Sequence, residues 1–106
     1  MIHLDIGRID DVIHGRVRLG IMAYLANAEA ADFNELKAAL KTTQGNLSVH
    51  LSKLEQAGYI AIEKSFLSRK PNTRVRLTKS GRKAFAAYLK VIAEFLGKSG
   101  SPSTKS

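Results

Sequence analysis

From Thr43 to Lys53 the chain reads TQGNLSVHLSK, a run of short polar side chains interrupted by leucines. Leu47, Leu51 and Leu54 recur at helical spacing and predict one buried stripe. The opposite face then carries Gly45, Ser48, Val49, Ser52, Lys53 and Gln56, with Gln44 and Asn46 in the first turn. These side chains suit the edges of base pairs in a duplex major groove. Gln and Asn pair bidentately with adenine, Ser donates or accepts at several bases, and Val can meet a thymine methyl. Gly45 leaves room for backbone to approach a phosphate. The ordinary alternative is a capped helix with a solvated polar face. In so basic a chain, however, a solvated face would carry more Lys and Glu.

A second constellation is cationic. Lys64 precedes Arg69, Lys70, Arg74 and Arg76, and the eight residues from Arg69 to Arg76 hold four cations and no acid. Such a cluster can neutralise phosphates, which supplies affinity without sequence preference. Its bland reading is a solvated loop, basic for solubility. Other candidate chemistry is thin. His50 borders the leucine stripe and packs there, with at most one nitrogen left for a phosphate. His3, His14 and His50 are too scattered for a metal site, which would show closely paired ligands. There is no cysteine, so disulfides, thiolate metal sites and cysteine nucleophiles are excluded. No glycine-rich phosphate loop follows a strand and no nucleophile elbow occurs. Tyr24, Tyr59 and Tyr88 are read as packing residues. The expectation is a protein that is not an enzyme, with no cofactor and no metal.

The elements that must position these residues follow from caps and periodicity. Residues 1–8 are a short lead-in. A first helix is expected from about Asp10 to Leu25, with Ile13, Val17, Ile21, Met22 and Leu25 at helical spacing. Gly15 and Gly20 weaken it by about 1 kcal/mol each relative to Ala, which close packing by a neighbour could offset. Asp32-x-x-Glu35 is a capping box for a second helix of about two turns, lined by Phe33, Leu36 and Leu40. Thr43 caps the third helix and Ala57-Gly58 closes it. Two alternating runs follow, Ile60 and Ile62 matched by Val75 and Leu77, around a loop from Leu67 to Thr73 with Pro71-Asn72 as its turn. Arg74 and Arg76 are the outward positions of the second strand. Thr78 caps a last helix from Lys79 to about Leu96, and the polar tail, 98–106, is expected to be disordered. The whole is mainly α with a small β-hairpin: a helix-turn-helix at about 32–58, a wing at about 59–78 and a last helix at about 79–97, all in one domain spanning 1–97.

That last helix has more apolar surface than one core needs. Phe85, Tyr88, Leu89, Ile92 and Leu96 form one stripe; Ala84, Ala87, Val91 and Phe95 form another beside it. A helix serving a single core needs about 100° of apolar face. The surplus points to a second copy in a two-fold homodimer, with Ile13, Val17, Phe85, Tyr88, Leu89, Ile92, Phe95 and Leu96 at the interface. The alternative is that the first helix covers the second stripe.

Charge agrees with a polyanionic partner. The net charge is +8. Residues 1–52 carry five Lys+Arg against six Asp+Glu, whereas residues 53–106 carry twelve against three. A one-sided excess fits double-stranded DNA better than a solubility surface, which intersperses both signs. No signal peptide and no apolar run of membrane-spanning length is seen, so a soluble, cytoplasmic protein is expected.

Taken together, four segments resemble the small winged-helix regulators related to the MarR and ArsR families. They are VIHGRVRLGIM, GNLSVHLSKLEQAGYI, the series Lys64, Phe66, Arg69, Pro71, Thr73, and RLTKSGRKAF. The likeness covers about residues 10 to 96, and Gly15 stands where relatives often have proline. The resemblance implies a dimeric transcriptional regulator with the last helix, and often the first, at the interface. The leading expectation is a sequence-specific regulator, most simply a repressor. An architectural, weakly specific DNA binder and a protein-interaction module are the alternatives. An unidentified small-molecule effector would have to bind the core or the dimer interface.

Overall fold

The computed structural model describes residues 4–98. A short 3₁₀ turn, Ile6–Arg8, leads into α1 (Arg16–Ala26), β1 (Ala31–Asp32), α2 (Phe33–Leu40), α3 (Gln44–Gln56), β2 (Ile60–Leu67), β3 (Lys70–Leu77) and α4 (Lys79–Lys98). This is a winged helix: four helices and a small antiparallel sheet of order β1-β3-β2. The tail expected at 98–106 lies outside the described residues, apart from Lys98, which α4 includes.

The capping signals form as expected. Asp32 accepts from the Glu35 N–H at 2.7 Å while the Asp32 N–H donates back to Glu35, the reciprocal box that satisfies two orphan donors. The Thr43 hydroxyl accepts from the Asn46 N–H at 3.1 Å. Gly58 takes a positive φ of 81° after α3, the left-handed conformation glycine adopts without penalty. Gly20 confirms the close approach: a Cβ there would meet the Leu40 side chain at 2.9 Å, so α1 and α2 pack backbone to side chain.

Three expectations are corrected. First, α1 begins at Arg16, not Asp10. Asp10 instead caps a separate turn, its Oδ1 accepting from the N–H groups of Val12 and Ile13. Gly15 is extended, which ends that turn and restarts the chain as helix. Arg18 ties the two pieces by donating from Nε to the Val12 carbonyl at 2.6 Å.

Second, the hairpin turn is Ser68-Arg69, not Pro71-Asn72. Both Ser68 and Arg69 have positive φ, 52° and 69°, as two-residue hairpin turns demand. Pro71 lies in β3 opposite Phe66, beyond the short β1, where its missing N–H interrupts no second ladder. Third, the sheet gains a strand: Ala31 and Asp32 pair with Val75 and Arg74. Ile60 opposite Leu77 and Ile62 opposite Val75 match the expected register.

The core gathers Ile13, Ile21, Met22, Leu25, Leu36, Leu47, Leu54 and Val75, with Phe85 and Tyr88 from α4. Ile13, one of the residues expected at a dimer interface, is fully buried in the core. Phe85 and Tyr88 are likewise directed inward, at 8% and 5% exposure. Val17 is half-buried against the core.

Candidate nucleic-acid interface

The α3 stripe of Leu47, Leu51 and Leu54 is buried in the core, which turns the opposite face out. Gln44, Gly45, Asn46, Ser48, Val49, Ser52 and Lys53 are all exposed. Thr43 is exposed as well, with its hydroxyl oxygen engaged in capping. An added Cβ at Gly45 would meet nothing within 4 Å. The fold therefore does not require glycine there, and open space is left for a backbone-sized approach. The positive end of the α3 dipole coincides with this first turn and favours a nearby phosphate.

A cleft of about 730 Å³ separates α3 from the wing. Gln44, Ser48 and Ser52 form one wall, Lys64, Pro71 and Thr73 the other, and Phe33 and Asn34 of α2 close one side. Glu55 lies at its margin, and Gln56 donates to Ser52 at 3.4 Å.

The wing cations divide between faces. Residues two apart on a strand share a face, so Lys64 stands with Ile60 and Ile62 on the side turned to α3. Lys70, Arg74 and Arg76 stand on the other side, and Arg69 occupies the turn. Arg74 is in register with Glu63 of β2 and Asp32 of β1. Lys64 is thus placed beside the α3 surface, Arg69 stands at the tip of the wing, and Lys70, Arg74 and Arg76 lie on the opposite face. Arg74 and Arg76 are outward as expected, whereas Lys70, expected at the tip with Arg69, is the first residue of β3.

One contact was not foreseen. Arg18 of α1 reaches α3, its NH1 lying 2.9 Å from His50 Nδ1. Burial first, then the charges of Arg18 and Lys53, hold the His50 pKa below its usual value. The neutral imidazole accepts from Arg18 and locks α3 against α1. Arg18 also borders a smaller recess with Lys53 and Gln56, on the far side of α3 from the wing.

The α4 residues expected at a dimer interface differ in exposure. Leu89 and Leu96 are 49% and 63% exposed, and Ile92 and Phe95 are half-buried. In the lead-in, Leu4 and Ile6 are exposed and Arg8 pairs with Glu94 of α4 at 2.8 Å. An exposed ion pair of this kind contributes little stability, but it places the lead-in along α4.

A family model described as a winged helix DNA-binding domain matches residues 17–96. The chain belongs to the winged helix DNA-binding domain family. The match spans α1 through most of α4, including the α3 face and the wing. An uncharacterised protein of Methanocaldococcus jannaschii is 38% identical over 78 residues, 74% of this chain and 85% of that one. Among solved structures, a transcriptional regulator homologue from Pyrococcus horikoshii OT3 superposes with a TM-score of 0.80 at 29% identity, covering 85% of this chain and 89% of that one. A MarR-family transcriptional regulator from Silicibacter pomeroyi shares the fold, with a TM-score of 0.60 at 19% identity over 83% of this chain and 56% of that one. The fold is that of transcriptional regulators. Among the described residues, no helix is long and apolar enough to cross a membrane, and no group of three His, Cys, Asp or Glu side chains could hold a metal ion.

Proposed function

We propose that this winged-helix protein is a homodimeric transcriptional regulator that reads double-stranded DNA with α3 and holds the backbone with the wing. The observation that carries this reading is the α3 surface: a capped first turn of exposed, uncharged Gln44, Gly45 and Asn46, continued by Ser48, Val49 and Ser52. Short hydrogen-bonding groups at a helix N-terminus suit the groove floor. Lys64 and Arg69 flank that surface and provide the sequence-independent part of the affinity. Leu89, Ile92, Phe95 and Leu96 supply the apolar seam through which two copies pair. A dimer of this kind covers its operator and excludes other proteins from it, which makes repression the simplest outcome.

Binding to a fixed duplex across a salt series tests the division of labour. Arg69→Ala should weaken binding to every duplex alike and lower the slope of log K against log salt by about one. Salt-insensitive binding, or none, would instead favour a protein partner for the wing.

A further inference from the structure

The wing carries one side chain that neither the core nor the cationic surface accounts for. Phe66 is 72% exposed. Its strand parity places it on the face of Ile62 and Lys64, the face turned to α3. Pro71 lies directly across from it, yet most of the ring remains in water. Burying a Phe side chain is worth about 1.5–3 kcal/mol, and here most of that stabilisation is not realised. Stability therefore does not explain an aromatic ring at this position.

Reach and charge indicate what the ring meets. From Ile62, at the border of the core, four strand residues carry the chain about 13 Å outward at about 3.3 Å per residue. On a duplex whose major groove holds α3, the adjacent minor groove lies about half a helical turn away, or about 17 Å. With the wing running along the duplex, that length brings Phe66 and the turn beyond it within reach of that groove. Lys64 before the ring, and Arg69 and Lys70 after it, favour a polyanion over an apolar protein surface.

We propose that Phe66 is an apolar wedge that enters the minor groove beside each half-site and unstacks a deformable base step. The proposal rests on the DNA-binding reading above. An inserted ring does not read hydrogen-bond patterns, but it is sensitive to the cost of unstacking, which is lowest at pyrimidine–purine steps such as TA and CA/TG. The wing then reads deformability through Phe66 while α3 reads base edges. Insertion kinks the duplex toward its major groove, the groove assigned to α3.

Parallel selections from a random duplex pool with the wild-type protein and Phe66→Ala test this, followed by circular-permutation electrophoresis of the recovered duplexes. The wild type should enrich a pyrimidine–purine step at a fixed distance outside the bases assigned to α3, and should bend the DNA. Phe66→Ala should recover the same central bases while losing the flanking preference by about tenfold, the scale of one base-pair discrimination. It should also lose the bend, with its salt dependence unchanged. Phe66→Leu, still apolar, should retain most of both effects. Because the ring is exposed, these variants leave the core intact. An unchanged flank and bend in Phe66→Ala would overturn the wedge. A central consensus with no flanking preference and no bend in the wild type would overturn it too, while leaving the DNA-binding reading in place. If the wild type recovers no duplex, both readings fail.

Discussion

Gly81 shows how strictly a single residue can constrain this fold. A Cβ there would lie 2.0 Å from the Tyr59 carbonyl oxygen and 2.9 Å from its carbon. Backbone cannot yield as a side-chain tip can, so the start of α4 approaches the Tyr59 carbonyl, just before β2, only through glycine. The same carbonyl accepts from the Thr78 N–H, and the Thr78 hydroxyl donates to Gly58 and accepts from the Gly81 N–H. Gly81→Ala should therefore cost about 3 kcal/mol or more, measured as a drop in the urea midpoint. Tyr59 gives a second test from its other end. Its hydroxyl donates to Asp10 Oδ2, and this bond, followed by burial and the charge of Asp10, raises the phenol pKa from 10.0 to about 12. The neutral phenol is the form the folded state holds. Its contribution is complete below pH 10 and is lost as the pH rises toward 12. Over that interval the Tm of the wild type should fall more steeply than that of Tyr59→Phe; parallel curves would show that the bond to Asp10 contributes nothing.

At the scale of elements, the turn between β2 and β3 sets stability against function. Ser68 and Arg69 both adopt positive φ, a conformation costing a non-glycine residue about 1 kcal/mol or more. Arg69→Gly should raise stability by about 1 kcal/mol while weakening DNA binding, read by thermal melts and duplex titration on the same preparation. If binding is unchanged, the tip does not face phosphate. This turn was also the least legible part of the chain. Pro71-Asn72 is a strong turn signal in sequence, and Ser68-Arg69 is a weak one; the strand partners decided against local preference. The helices were easier to read because their ends are set by caps within a few residues. Asp32, Glu35, Thr43 and Gly58 fall where side-chain hydrogen bonds or a left-handed φ predict. The start of α1 was missed because Asp10 caps a turn as readily as a helix, and only the path of Ile13 into the core separates the two. β1 has only two residues, too few for any alternation to show. On the α3 face, exposure follows the leucine stripe directly, so that surface was legible before the fold was known. The Arg18–His50 contact was not, since it joins residues 32 apart.

The molecule as a whole is elongated, which bears on its assembly. Its Cα radius of gyration is 16.1 Å, against about 13 Å for a compact chain of this length. The 20 residues of α4 span about 30 Å, with Leu89 and Leu96 exposed along it. A contiguous exposed apolar patch marks an interface, the role proposed above for these α4 residues. Pairing through it would generate two α3 helices related by a two-fold axis, and the DNA they read would share that symmetry. The net positive excess resides in residues 53–106, which include the wing and α4, rather than in residues 1–52. The most direct test of sequence-specific reading by a dimer is selection from random duplex DNA at about 100 mM salt with the wild type and with Leu89→Glu, whose charge falls on the exposed seam. The wild type should recover a near-palindrome with half-sites about 10–10.5 bp apart, preferred over scrambled duplex by about a thousandfold or more. Leu89→Glu should recover only single half-sites at much weaker affinity. Tight wild-type binding with no consensus would contradict sequence-specific reading by α3 and leave an architectural DNA binder in its place.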